Sequence, residues 1–147
     1  MKKLILGLFM LCGALGGVQA ADVIWQTNMP QAFAQARAEH KLVLADFTGS
    51  DWCHWCKKLE ADTFSQPEFL AYAKTNLVLV RLDYPNNLPQ SDELKAANAV
   101  LAQRFKIDGY PTVIVMKPDA KVIWRIGGYL EGGPKTMIDG IEAAKKK

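Results

Sequence analysis

Apolar positions along the chain fall into short continuous runs separated by longer stretches of helical periodicity. Leu42 to Phe47 is nearly all apolar, the pattern of a strand buried on both faces, and Asn76 to Asp83, with Leu77, Val78, Leu79, Val80 and Leu82, predicts another buried strand. Val23-Ile24-Trp25 predicts a short first strand. Val113 to Met116 predicts a fourth, and Lys121 to Ile126 an antiparallel return after the turn Pro118-Asp119-Ala120. Between the first two runs, Asn28 reads as an N-cap with Pro30 in the first turn, followed by Phe33, Ala36, Arg37 and His40 at helical spacing. His40 and Lys41 then end that helix with charge that complements its dipole, so His40 reads as a helix-end residue before it reads as a catalyst. Cys56 to Phe64 predicts a helix, and Ser65-Gln66-Pro67-Glu68 a capping box opening a further helical piece to about Ala73. Residues 84–92 predict a polar, Pro-containing loop, after which Leu94, Ala97, Leu101 and Phe105 form an apolar helical stripe. Gly127-Gly128 breaks the last strand, and Gly132-Gly133-Pro134 opens a final helix to about Ala144. This order predicts an α/β fold, a central mixed sheet with helices on both faces. The first three strands need crossover connections, so they should run mostly parallel.

Composition adds a single domain and a destination. The 147 residues are 50% hydrophobic and 22% charged, with no internal repeat. Lys2 and Lys3 precede the apolar run Leu4 to Leu15, too short for a comfortable membrane span, and Val18-Gln19-Ala20 offers the small residues a signal peptidase reads. Residues 1–20 are therefore expected to be a cleaved signal peptide and residues 21–147 the folded domain, periplasmic or secreted, with no stable membrane insertion after cleavage. A lipid anchor on Cys12 is disfavoured because Leu11, not a small residue, precedes it. Removing residues 1–20 leaves 16 basic against 15 acidic residues, a net charge of +1 that makes no electrostatic case for nucleic acid.

The expected mature chain has two cysteines, Cys53 and Cys56, in Asp51-Trp52-Cys53-His54-Trp55-Cys56-Lys57-Lys58. A strand before and a helix after would place Cys53 at a helix N-terminus, where the dipole and free N–H groups favour a reactive thiolate. Zinc usually needs four ligands, and only His40 and His54 remain to join the two sulfurs. Covalent haem needs His directly after the second cysteine, where Lys57 stands. A structural disulfide closing so small a loop removes little unfolded-state entropy. Redox work in an oxidising compartment is the reading that remains strongest, with no metal or organic cofactor required.

A strand, Trp-Cys-x-x-Cys, a helix, then Gly109-Tyr110-Pro111-Thr112 before a terminal hairpin and helix resembles the thioredoxin superfamily across most of residues 23–145. Asp46 to Cys53, with Lys57-Lys58-Leu59-Glu60 and Thr63-Phe64, is most similar to exported thioredoxin-like proteins such as the C-terminal domain of the thiol:disulfide interchange protein. The resemblance implies a thioredoxin-like fold in which Cys53 attacks, Cys56 resolves, and Pro111 is a cis-proline presenting the Tyr110 backbone to an extended substrate. It makes Asp46 the buried acid that exchanges a proton with Cys56; a strand-end carboxylate facing solvent is the alternative. Trp52 is expected to shield the active turn. Trp55 is expected either to touch substrate or to rest on the fold. His54, as an imidazolium, would stabilise the Cys53 thiolate and raise the reduction potential. The loop at 84–92 is longer than in ordinary thioredoxins, which bears on partner choice.

The expected activity is thus thiol–disulfide exchange with protein thiols and disulfides, as a reductase kept reduced by a membrane redox partner. The alternatives are an oxidase or isomerase of the same fold, or a non-catalytic peptide-binding module.

Overall fold

The computed structural model describes residues 23–147. The expected signal peptide, with Cys12 and the junction at Ala21, lies outside the described residues. The elements are β1 (Trp25–Gln26), α1 (Met29–Glu39), β2 (Leu42–Thr48), α2 (His54–Leu59), α3 (Pro67–Asn76), β3 (Leu77–Asp83), α4 (Asp92–Arg104), β4 (Thr112–Met116), β5 (Val122–Gly127) and α5 (Gly133–Lys145). Five strands form one sheet in the order β1-β3-β2-β4-β5. β1 and β2 flank β3 in parallel, while β4 runs antiparallel to β2 and β5 to β4.

Strand alternation divides the core in two. Val43, Ala45, Phe47, Val78, Val80 and Leu82 face α1 and α4, meeting Met29, Ala32, Ala36, Leu101 and Phe105. Leu44, Leu77, Leu79, Val113 and Val115 face the other way, against Leu59, Phe64, Phe69, Met137 and Ile141. The mixed, two-faced sheet agrees with the expected fold class.

Local details depart from expectation where tertiary contacts outweigh sequence pattern. The helix after the cysteines starts at His54 and widens into a π-helical turn over Glu60–Phe64, closed by Ser65 N–H donating to Glu60 C=O at 2.9 Å. The wide turn lets Leu59 and Phe64, five residues apart, both bury. Ser65 is consequently spent closing this turn, its hydroxyl donating to Glu60 at 3.0 Å. The expected capping box does not form, because α3 begins after Gln66 with no side-chain cap. Asn28 does cap α1, accepting the Gln31 N–H at 2.9 Å, and His40 ends it in the left-handed region at φ 55°. Of the stripe assigned to α4, Leu101 and Phe105 do pack on the core, but Ala97 is exposed, and the residue this helix fully buries is Asn98, whose amide donates to the Asp83 carbonyl at 3.0 Å.

Candidate active site

The chain leaves β2 into a tight turn in which the Gly49 carbonyl accepts two N–H groups, Trp52 at 3.3 Å and Cys53 at 2.8 Å. Gly49 is required by space and not by conformation. A Cβ there would stand 2.4 Å from the Trp52 ring. Cys53 is extended and is the N-cap of α2, so its sulfur stands where a capping oxygen normally would and accepts the Cys56 N–H at 3.2 Å. The two sulfurs are bonded, with Cα atoms 5.3 Å apart. Each cysteine is 5% exposed, so burial does not rank them; position does. Cys53 has the helix start and an N–H aimed at its sulfur, features that stabilise a thiolate. Cys56 lies one turn in and forms part of the wall of a cleft of about 270 Å³, together with Thr48, Ser50, Glu60 and Arg81.

Arg81 ties that cleft to Asp46. β2 and β3 pair Asp46 with Arg81 in register, and Arg81 Nε lies 3.7 Å from Asp46 Oδ2. The guanidinium also binds Glu60 and stacks over the Trp25 ring, 4.3 Å from its centroid. Asp46 is 3% exposed and its Oδ1 has no hydrogen-bond partner, which rules out the solvent-facing alternative. Burial pushes its carboxyl up to about 7 against the pull of Arg81, with Glu60 and Asp83 adding to the rise.

Aromatic residues adjoin both cysteines in the chain, Trp52 before Cys53 and Trp55 before Cys56. The Trp52 indole donates to the Tyr84 carbonyl at 2.8 Å and meets Tyr110 edge-on at 5.8 Å, while remaining 44% exposed. Tyr110 packs against Tyr84 with the rings tilted by 40° and their centroids 5.1 Å apart, and the Tyr110–Pro111 bond is cis. Trp55 rests on Tyr129 at 5.5 Å yet is 52% exposed, so it packs on the fold and still offers surface. Tyr129 is fixed by its hydroxyl donating to Asp62 at 2.6 Å. His54 is exposed and its ring packs edge-on against Trp55. Among the described residues no group of three or more His, Cys, Asp or Glu could hold a metal ion.

Three participants carry no sequence-derived role. Arg81 is signalled by its being a charged residue between apolar neighbours inside the strand, and Glu60 by its place one helical turn after Cys56. Tyr129, beyond β5, gives no local signal. The preceding turn is further tied to the end of β3 and the segment after it. Ser50 N–H and Oγ donate to Asp83, and the Asp51 carboxylate accepts the backbone N–H groups of Asn86 at 3.0 Å and Asn87 at 2.6 Å. These amides hold the Asp51 carboxyl below the usual carboxylate range.

A family model for thioredoxin-like domains matches residues 24–118. Disulfide bond reductase DsbH of Chlamydia pneumoniae is 29% identical over 129 residues, 88% of this chain and 76% of that one. Thiol:disulfide interchange protein DsbD of Photorhabdus laumondii subsp. laumondii is 31% identical over 94 residues, 63% of this chain but only 15% of that one. The solved structure of a DsbH oxidoreductase superposes with a TM-score of 0.79 at 28% identity, covering 88% of this chain and 89% of that one. The oxidised C-terminal domain of Neisseria meningitidis DsbD, at 20% identity and a TM-score of 0.59 over 82% of this chain and 99% of that one, shares the fold.

Proposed function

Because the chain belongs to the thioredoxin-like family, we propose that it is an exported thiol–disulfide reductase acting on protein disulfides through Cys53 and Cys56. The observation that carries this reading is the cap geometry: Cys53 occupies the start of α2 with the Cys56 N–H directed at its sulfur. The name of the DsbH relative supports the direction.

In the reduced protein, the Cys53 thiolate attacks one sulfur of a substrate disulfide. A Cys53–substrate bond forms, the substrate bond breaks, and the departing substrate thiolate takes a proton from solvent. Cys56 then gives its proton to the Asp46 carboxylate, and its thiolate attacks the Cys53 sulfur. The second substrate thiolate leaves, and the protein ends as the Cys53–Cys56 disulfide, two electrons poorer. A dithiol donor must restore it, and we assign that role to a membrane redox partner. In this reading the substrate segment would lie along the cis Tyr110–Pro111 turn, with the exposed rings of Trp52, which meets Tyr110, and Trp55 as further contacts.

Equilibration with glutathione tests the direction. The expected potential is somewhat above the about −270 mV of thioredoxin, with the pair reduced in cells. A value near the oxidant end, about −120 mV, with an oxidised pair in cells would favour an oxidase instead. His54→Gly should lower the potential, since an imidazolium beside Cys53 stabilises the reduced form; an unchanged value would remove His54 from the tuning set.

Export is tested separately. The mature protein purified from the producing cell should begin at Ala21 on N-terminal sequencing. A chain that starts at a lipid-modified Cys12 would replace the signal peptide by a lipoprotein anchor.

A further inference from the structure

Three consecutive residues ahead of the nucleophile bind the end of β3 and the segment that follows it. Ser50 holds Asp83, Asp51 holds Asn86 and Asn87, and Trp52 holds the Tyr84 carbonyl. The loop so held runs from Tyr84 to Gln90 and contains Pro85 and Pro89, which bring no N–H of their own. Among the described residues, the hydrogen bonds made by the backbone of 85–89 all go to the Asp51 carboxylate. Successive amides converging on one carboxylate form an anion nest, here occupied from within the chain. Leu88, the next residue after this anchor, is 53% exposed. The anchor itself lies two residues from Cys53, on a turn pinned by the Gly49 carbonyl.

We propose that Asp51 is a positioning residue, which holds the loop at 84–90 as a fixed wall beside Cys53 and so favours protein disulfides over small-molecule ones. This rests on the exchange activity proposed above. A small disulfide needs only the sulfur and its immediate surroundings. A protein disulfide carries chain on both sides, and that chain must lie across the flanking walls. A wall already ordered costs the partner little conformational entropy on binding, whereas a released loop must be ordered each time. The effect therefore falls on association and leaves the sulfur chemistry alone.

The test compares insulin with hydroxyethyl disulfide as oxidants of the reduced full-length mature protein. Asp51→Ala should raise KM for insulin about fivefold to tenfold with little change in kcat, and lower the ratio of insulin to small-disulfide rates by the same factor. Asp51→Asn keeps one acceptor oxygen and should recover part of that loss. Leu88→Ser, at an exposed site where folding is not at stake, should shift the insulin KM in the same direction. Equal losses on both disulfides, a loss confined to kcat, or an unchanged insulin KM in Leu88→Ser would each overturn the proposal. Wild-type protein that reduces neither disulfide would overturn the exchange reading together with it, whereas an active wild type with unaltered selectivity in the variants overturns the Asp51 role alone.

Discussion

Cys56→Ser should turn the protein into a trap, accumulating partners on Cys53 as mixed disulfides that survive non-reducing electrophoresis. Attack requires a thiolate at the helix start, and Cys53 alone occupies the N-cap with an N–H directed at its sulfur. Release requires a second thiolate within bonding reach, and Cys56 supplies it from a Cα 5.3 Å away. Removing Cys56 leaves the first step and deletes the second. Cys53→Ser should lower turnover of insulin by about a thousandfold or more, because the nucleophile itself is gone. Trapping by Cys53→Ser and not by Cys56→Ser would reverse the two roles.

The second large effect concerns Asp46. Its folded-state carboxyl titrates at about 7, against an ordinary value of 3.8, and burial is the main cause. Between those values the folded protein keeps a proton that the unfolded chain has already lost. Stability therefore falls as pH rises through this window, and above about pH 7 the full cost of a buried carboxylate is present. Asp46→Asn has no such titration. Denaturation of the oxidised protein at pH 8 should show the variant more stable by up to roughly 4 kcal/mol, shrinking toward nothing below pH 4. The same variant should resolve mixed disulfides more slowly, since Cys56 would lose the proton acceptor proposed for it. A wild-type protein whose stability relative to the variant does not change between pH 4 and pH 8 would mean that Arg81 keeps Asp46 ionised throughout.

Much of this architecture could be read from local pattern. The largely apolar stretch 42–47 and the apolar run 77–80 gave β2 and β3 because strands covered on both faces have little polar side to show. The Cys53 position followed from a strand on one side and a helix on the other. Ser65-Gln66-Pro67-Glu68 misled because a capping signature does not reveal that its serine is already engaged by Glu60, five residues earlier. The Asp46 environment was undecidable by inspection of its own segment. It depends on register with β3, which places Arg81 opposite, and on α2 lying over that face. Asn98 was missed for a related reason. Its burial is set by the Asp83 carbonyl at the end of β3, a partner that helical periodicity cannot register. Long-range pairing of polar groups has no period along the chain, so it leaves no trace in a hydrophobic pattern.

The contact between Gly49 and Trp52 has a practical use in protein engineering. Even the smallest side chain at position 49 would overlap the indole, and a ring pushed aside must give up its bond to Tyr84 and its packing on Tyr110. Gly49 is also the residue whose carbonyl pins the turn, so the lever sits at the hinge it controls. One added methyl group at this glycine would displace the indole next to Cys53 in the chain without replacing either cysteine. Position 49 is thus a place where substrate preference could be redrawn by steric means alone, with no new charge and no change in the sulfur pair.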